Sequence, residues 1–390
     1  MVSVLVVDDS VVMRRLITEA LAQDAGISVV GTAPNGRVAL QKIDQLSPDV
    51  VTLDIEMPVL DGLATLRELR PRHPRLPVIM FSTLTAAGAG ATLDALAAGA
   101  SDYVTKPANA GSVKESMQSV REQLIPRIHA LSGAGTSTPA RPAAGRALRV
   151  PAPTRPPAAA PRFSFPPAVP GLAGPAVPAG RPSVPRRTTP VEVIAVGCST
   201  GGPDALSRIL QELPGTLPVP VVVVQHMPPM FTRMFAERLN RTSALTVVEA
   251  TDNQPLRPGT VYLAPGDFHL SVTRRGAAVV TRLESGPPEN FCRPAVDVLF
   301  RSVAHHYRGN VLAVILTGMG QDGRRGAEVL RAAGAEILAQ DQATSVVWGM
   351  PGAVVNAGLA DDVLPLSAIS RHLSTRLASR GSASPMQVTR

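Results

Sequence analysis

Three residues of the C-terminal half could together form a serine hydrolase site, because each closely follows an apolar run. Ser199 lies in the glycine turn GCSTG, His226 follows PVVVVQ, and Asp322 comes after NVLAVILTG. A serine hydroxyl needs a base near neutral pH, and that base needs an orienting acid. If the apolar runs are parallel strands, their carboxyl ends meet at one edge of a sheet. We therefore expect the three side chains to converge there.

The glycine turn at Ser199 has other interpretations when it is taken alone. A small-residue turn after a strand also binds phosphate at a helix N-terminus, and a plain strand–helix connection looks the same. A dinucleotide-binding turn would read G-x-G-x-x-G, with an acidic residue ending the next strand. That strand ends here in Gln225 and His226, so the pattern favours hydrolysis. Other histidines of this half include His269 in a candidate hairpin, and His305 and His306 late in a helix.

A second set of chemistry-bearing residues occupies strand ends in the N-terminal part. Carboxylates gathered at one point repel each other unless a cation joins them, and hard oxygen ligands favour Mg²⁺. A lysine and a hydroxyl beside them suit a transferred phosphoryl group, for which an aspartate can be the covalent acceptor. The residues are Asp8 and Asp9 after the first predicted strand, Asp54 ending the third, Thr83 after the fourth and Lys106 ending the fifth.

Alternating strands and helices are expected to position both the serine hydrolase residues and the N-terminal acidic residues. This alternation predicts an α/β fold with two doubly wound, mainly parallel-sheet domains, the first flavodoxin-like. The N-terminal part has five strand candidates, from VSVLVV to DYVT, and Ser10 is placed to cap the first helix. The C-terminal part has seven, from VEVIAVG to AEILAQD. Segments around RRGA indicate an antiparallel hairpin there, which would make that sheet mixed.

Residues 131–190 are predicted to be a flexible linker between domains at residues 1–130 and 191–380. The segment holds 15 of the 38 prolines and eight arginines, but no acidic residue. It has too few large apolar residues to offset the entropy of ordering. The net charge of +8 arises here, because without those arginines the basic residues equal the 30 acidic ones. Positive charge on such a segment is no patterned basic face, so we expect no specific nucleic-acid binding.

The composition also bears on cellular location. No apolar run approaches the roughly 18 residues of a membrane-spanning helix. The N-terminus, MVSVLVVDDS, lacks the basic region of a secretory signal. The two cysteines, Cys198 and Cys292, lie in different segments, which is typical of a reduced intracellular protein. We expect a cytoplasmic protein without a membrane span.

The N-terminal part resembles the receiver domain of two-component response regulators over nearly its full length. The motifs VVDDS, LDIEMPVLDG and VTKP carry the resemblance. It implies that Asp54 is the phosphorylated residue. It also implies that Asp9, Asp54 and the backbone of Glu56 hold Mg²⁺, with Asp8 in support.

The same resemblance implies roles for the rest of this pocket. Thr83 and Lys106 would contact the phosphoryl group. Tyr103 would either move with phosphorylation or be an ordinary half-buried strand residue. A chemotaxis histidine kinase would be the phosphodonor.

The chain as a whole resembles the chemotaxis protein-glutamate methylesterase family, in which a receiver domain precedes a catalytic domain. The matching stretches are GCSTGGP, QHMPPMFT, YLAPGDFH, RPAVDVLF, ILTGMGQDG and QDQATSVVWGMP. The resemblance implies phosphorylation-regulated hydrolysis of glutamate methyl esters, and deamidation of certain glutamines, on methyl-accepting chemoreceptors. It implies a catalytic role for Ser199, His226 and Asp322, with no cofactor for ester hydrolysis. The backbone N–H of Met319 would help to hold the oxyanion.

Some interpretations stay open at this point. Thr200 either assists catalysis or caps a helix. Phe231 and Met234 either face a receptor helix or belong to the core, and their helical spacing favours the core. A DNA-binding output would need a helix-turn-helix or winged module with a basic recognition helix, and no such helix is visible. An inactive scaffold is disfavoured by the intact serine, histidine and aspartate.

Overall fold

Five parallel strands form the first sheet of the computed structural model, and all five predicted segments are strands. Their order across the sheet is the second, first, third, fourth and fifth. This order places the ends of the first and third strands side by side. The strands are β1 (Val2–Val7), β2 (Ile27–Ala33), β3 (Val50–Asp54), β4 (Val78–Ser82) and β5 (Asp102–Thr105).

Helices connect these strands, and polar side chains cap their starts. Ser10 accepts a hydrogen bond from the Met13 backbone at 3.3 Å, as the sequence predicts. Asp61 caps the third helix in the same way, accepting from Ala64 N at 2.7 Å. The helices are α1 (Val11–Leu21), α2 (Gly36–Leu46), α3 (Gly62–Leu69), α4 (Ala86–Ala97) and α5 (Val113–Leu131).

The C-terminal domain contains nine strands among its described residues. They are β6 (Val193–Cys198), β7 (Val221–Gln225), β8 (Thr246–Glu249), β9 (Thr260–Leu263), β10 (His269–Arg275), β11 (Ala278–Glu284), β12 (Val311–Ile315), β13 (Glu336–Gln340) and β14 (Asp362–Leu364). Seven of them form a parallel sheet in the order β14-β13-β12-β6-β7-β9-β8. The predicted hairpin exists as β10 and β11. The expectation of a mixed sheet is wrong, because this hairpin is a separate two-stranded sheet.

The strand order reverses at β6, because β7 lies on one side of it and β12 on the other. In open parallel sheets, ligands bind at such a reversal of strand order, beyond the carboxyl ends of the strands. The helices that cover the sheet are α6 (Gly202–Glu212), α7 (Pro229–Thr242), α8 (Val296–Tyr307), α9 (Arg324–Ala332), α10 (Met350–Asn356) and α11 (Leu366–Ala378).

The structure describes residues 1–83, 85–107, 112–133 and 190–378, which all belong to one compact unit. The predicted linker therefore lies almost wholly outside the described residues. Within those ranges, no helix combines the length and apolar character that crossing a membrane requires.

Candidate active site

Ser199, His226 and Asp322 follow three adjacent strands at the point where the strand order reverses. Ser199 comes directly after β6 and His226 directly after β7, whereas Asp322 follows β12 by a short turn. Ser199 N donates a hydrogen bond to Thr317 O at 3.0 Å, which joins the ends of β6 and β12. The same edge of the sheet thus holds a hydroxyl, an imidazole and a carboxylate.

Half-buried His226 and buried Asp322 form a pair, with Nε2 2.8 Å from Oδ2. Asp322 also accepts hydrogen bonds from the backbone N–H groups of Val296 at 2.7 Å and Asp297 at 3.0 Å. These N–H groups lie at the start of α8, where the N-cap residue, Ala295, provides no side-chain hydrogen bond. Burial raises the pKa of Asp322, but the hydrogen bonds from His226 and the backbone outweigh it and leave that pKa below its usual range. Asp322 is therefore an ionised partner for the imidazole.

The other ring nitrogen of His226 faces a residue that the sequence reasoning missed. Cys292 Sγ lies 3.4 Å from His226 Nδ1. Burial lowers the pKa of His226. Its contacts with Asp322 and Cys292 raise that pKa by more, so the pKa lies above its ordinary value. Within the part of the chain that the structure describes, the Ser199 hydroxyl makes no hydrogen bond to His226. Since Nε2 bonds to Asp322, only Nδ1 could accept a hydrogen bond from Ser199, and it does so only if the Cys292 thiol gives way. Catalytic hydrogen bonds commonly tighten only when substrate binds.

Alkylation of Cys292 should block chemistry at His226, because a bulky group on Sγ would cover Nδ1 of the ring. Cys198, the other thiol, is buried in β6, and burial raises its pKa, so it should not react. We expect iodoacetamide to lower hydrolysis to about a tenth or less, while Cys292→Ala stays active and resists the reagent. Mass spectrometry of the labelled protein identifies the modified thiol. Equal inhibition of wild type and Cys292→Ala would contradict this prediction.

Close approach of backbone and side chains explains the glycines around Ser199. Gly201 has a φ of 75° and begins α6 as its N-cap. A Cβ on Gly318 would lie 2.3 Å from Met350 Sδ and 2.9 Å from Ser199 Cβ. Met319 directly follows Gly318 in this tight turn. Gly318 has no room for a side chain, and the positive φ of Gly201 is strained for other residues, so both positions need glycine.

Thr200, next to the serine, contacts the N-terminal domain. Its hydroxyl donates to Asp102 Oδ2, at the start of β5, at 2.6 Å. It does not cap α6, whose N-cap is Gly201. A second polar link joins Arg238 of α7 to Asp94 of α4. The N-terminal domain therefore reaches the residue adjoining Ser199.

An aromatic contact forms the centre of the same interface. The rings of Tyr103 and Phe231 stack, with centroids 4.8 Å apart and planes 8° apart. Met234, one turn further along α7, approaches Gly90 of α4. Phe231 is completely buried and Met234 is half-buried. The sequence pattern favoured core positions for both, and they are covered by the other domain as well as by their own.

The acidic residues of the N-terminal domain gather at the carboxyl ends of β1 and β3. Carboxylate oxygens of Asp8, Asp9 and Asp54 all lie within 4.8 Å of one another. Lys106 Nζ is 2.8 Å from Asp54 Oδ2 and 3.2 Å from Asp8 Oδ2. Neither of these buried oxygens has a hydrogen-bond partner of ordinary geometry among the described residues. Buried, under-satisfied carboxylate oxygens with one lysine are a donor set that fits a divalent cation.

The remaining residues predicted for this pocket, Glu56 and Thr83, follow β3 and β4. Burial raises the pKa of Asp54 to about 6, although Lys106 lowers it. Thr83 follows β4, and its hydroxyl is 3.1 Å from that of Thr85. Glu56 is exposed two residues beyond Asp54.

Comparison with known proteins gives matches to both halves of the chain. The family described as CheB methylesterase matches residues 194–373, and the response regulator receiver domain family matches residues 4–118. A "Protein-glutamate methylesterase/protein-glutamine glutaminase" of Nocardioides sp. is 55% identical over 377 residues, which cover 97% of this chain and 96% of that protein. A protein of the same description from Trichodesmium erythraeum is 46% identical, over 96% and 98% of the two chains. The crystal structure of the Thermotoga maritima CheB methylesterase catalytic domain is 46% identical and covers 47% of this chain and 97% of that one, with a TM-score of 0.46.

Proposed function

Because the chain belongs to the protein-glutamate methylesterase/protein-glutamine glutaminase family, we propose that Ser199, His226 and Asp322 are its catalytic triad. The enzyme is a hydrolase that removes methyl groups from glutamate esters and deamidates glutamines, with a receiver domain ahead of the catalytic domain. The observation that carries the proposal for the triad is the His226–Asp322 pair, 2.8 Å apart, at the same sheet edge as the glycine turn that holds Ser199.

The proposed reaction proceeds through a glutamyl-enzyme. Ser199 Oγ attacks the ester carbonyl, and His226 Nδ1 takes the serine proton while Nε2–H stays bonded to Asp322. The tetrahedral intermediate expels methoxide, which leaves as methanol with the proton from His226. Water then attacks the acyl-serine with His226 as base, releasing a glutamate carboxylate and restoring the serine. A glutamine follows the same course and releases ammonia.

The oxyanion of this intermediate needs donors fixed in advance. We assign the backbone N–H of Met319 to this role, because its turn is packed against Ser199 and held by glycines. A donor of this kind is commonly worth about 10²–10³ in rate.

Regulation is assigned to the receiver domain. Receiver domains bind Mg²⁺ for phosphorylation, and the oxygens of Asp8, Asp9 and Asp54, with the Glu56 backbone, would hold it here. The cation would neutralise charge on a phosphoryl group as it reaches Asp54. Lys106 lies within reach of the same oxygens, and Thr83 would donate to the phosphoryl group.

The partners follow from this chemistry. The substrate is a methyl-accepting chemoreceptor, and the phosphodonor is a chemotaxis histidine kinase. The test is methanol release from membranes of methylated receptor, with full-length protein, Mg²⁺ and either acetyl phosphate or none. We expect release in both cases and faster release with acetyl phosphate. No release by the wild-type protein under either condition would contradict the proposed substrate.

Asp322→Asn should impair the enzyme less than loss of the serine. The amide keeps the shape and several hydrogen bonds at the start of α8 but removes the charge that stabilises imidazolium. In a serine protease triad, loss of the acid costs about 10⁴ in rate and loss of the serine about 10⁶. Methanol release and circular dichroism, measured together, check this order. A folded Asp322→Asn protein as inactive as Ser199→Ala would contradict it.

A further inference from the structure

A tight turn beside the triad carries a fully exposed phenylalanine. The backbones of Glu289 and Cys292 pair through two hydrogen bonds of 3.0 and 2.9 Å, which closes the turn around Asn290 and Phe291. Asn290 Nδ2 donates to Asp322 Oδ1 at 2.8 Å, and Cys292 Sγ lies 3.4 Å from Nδ1 of the catalytic histidine. Phe291 therefore stands between two residues that both contact the catalytic pair.

The turn is fixed in place rather than loose. Arg301 of α8 donates a hydrogen bond to each carboxylate oxygen of Glu289, at 2.7 and 2.6 Å. Asn290 donates to Asp297 Oδ2 at 2.9 Å as well as to Asp322. A bidentate arginine and a half-buried amide that bridges two carboxylates fix the geometry of the turn. Phe291 is thus presented in a defined position.

The side chain of Phe291 does not stabilise the fold by burial. Its side chain is fully exposed (104%), so the burial of a large apolar side chain, commonly about 1.5–3 kcal/mol, is forgone. Its φ is 63° and that of Asn290 is 52°, a backbone region that is strained for bulky residues. Glycine would suit this position better if the fold alone mattered. The aromatic ring must then act outside the fold.

Neighbouring loops at the triad also expose apolar side chains. The loop after β9 packs against the loop after His226, since a Cβ on Gly266 would lie 2.2 Å from Pro229 N. Asp267 N donates to Arg293 O at 3.2 Å, which ties the same loop to the segment after Phe291. These loops surround the histidine side of the site.

We define the apolar rim as the exposed large apolar residues on these loops, at the start of α7 and on the loop against Gly201. A Cβ on Gly201 would lie 2.6 Å from Val346, so Val346 borders the nucleophile turn. The residues of the rim stay exposed although α4 of the N-terminal domain contacts α6 and α7. The rim consists of Met230 (41%), Phe268 (42%), Phe291 (104%) and Val346 (43%).

We propose that Phe291 is a substrate-binding residue, which packs against the apolar face of the receptor helix that carries the glutamyl ester. The inference rests on the proposed function and adds how the protein substrate is held. A glutamyl ester is joined to its helix by only a short methylene stem, so the helix itself must lie on the rim when the ester reaches Ser199. A small ester would reach Ser199 without touching Phe291.

The test compares two substrates with full-length Phe291→Gly, in the presence of Mg²⁺ and acetyl phosphate. The substrates are membranes of methylated receptor and the small ester N-acetylglutamate γ-methyl ester N-methylamide. We expect KM for the receptor to rise about 10-fold with little change in kcat, as for a buried aromatic contact. We expect kcat/KM for the small ester to stay unchanged, and Phe291→Leu to recover part of the loss. Val329→Ala, at a 41% exposed apolar position on α9, should leave both substrates unaffected.

The other outcomes overturn the inference. An unchanged KM for the receptor in Phe291→Gly would show that the ring does not bind substrate. An equal loss with both esters would show that the turn serves only to hold the triad. If wild-type protein hydrolyses the small ester but releases no methanol from receptor, the proposed receptor substrate fails, and this inference with it.

Discussion

Ser199→Ala and His226→Ala should each lower methanol release by about 10⁶-fold, and the double variant should be scarcely slower than either one. The reason is that the two residues act in one step. Without the base the hydroxyl is a poor nucleophile, and without the hydroxyl the base has no proton to take. The structure places them at the ends of adjacent strands, β6 and β7, with the base already fixed by Asp322 at 2.8 Å.

A nearby serine provides the matched control. Ser207 lies on α6, and its hydroxyl donates to Pro203 O at 2.6 Å, away from the imidazole. Ser207→Ala should keep nearly full activity. Circular dichroism of every variant excludes unfolding as the cause of a loss. Near-normal methanol release from Ser199→Ala would end its assignment as nucleophile.

The strands and their carboxyl ends could be predicted because their signals are local. Apolar runs of five to seven residues form buried strands, and the parallel arrangement brings their ends to one edge. That argument brought Ser199, His226 and Asp322 together before any coordinates. It failed for β14, which has three residues, none of them buried. So short and exposed a strand carries almost no hydrophobic pattern.

Other parts of the site depend on contacts between residues distant in sequence. Nothing local indicates that Cys292 faces the histidine, or that Asn290 bonds to Asp322. The same holds for Thr200, whose partner Asp102 lies 98 residues away in the other domain. Such contacts are fixed by tertiary packing, to which sequence spacing gives no access.

Tyr103→Ala should raise hydrolysis in the absence of a phosphodonor by about 10-fold, because the stacked ring pair is a main contact between the domains. The receiver reaches Thr200, directly after the nucleophile, through Asp102, so we propose that it restrains the site until phosphorylation. Phosphorylation of Asp54 adds about −1.5 to −2 charge at the carboxyl end of β3, in the same sheet whose strand β5 begins at Asp102. Asp54→Ala should keep the low rate and abolish activation by acetyl phosphate with Mg²⁺. A Tyr103→Ala protein no faster than wild type would contradict restraint by this interface.

Exchanging charges tests the interface without removing its aromatic core. Arg238 and Asp94 form an ion pair across the domains, with 28% and 52% of their side chains exposed. Asp94→Arg and Arg238→Asp each place like charges together, and we expect each to raise the basal rate by about 3-fold, as suits a partly exposed pair. The double exchange restores opposite charges and should return the rate to that of wild type. Recovery in the double variant is specific to contact between the two side chains, since local damage to either domain would add rather than cancel.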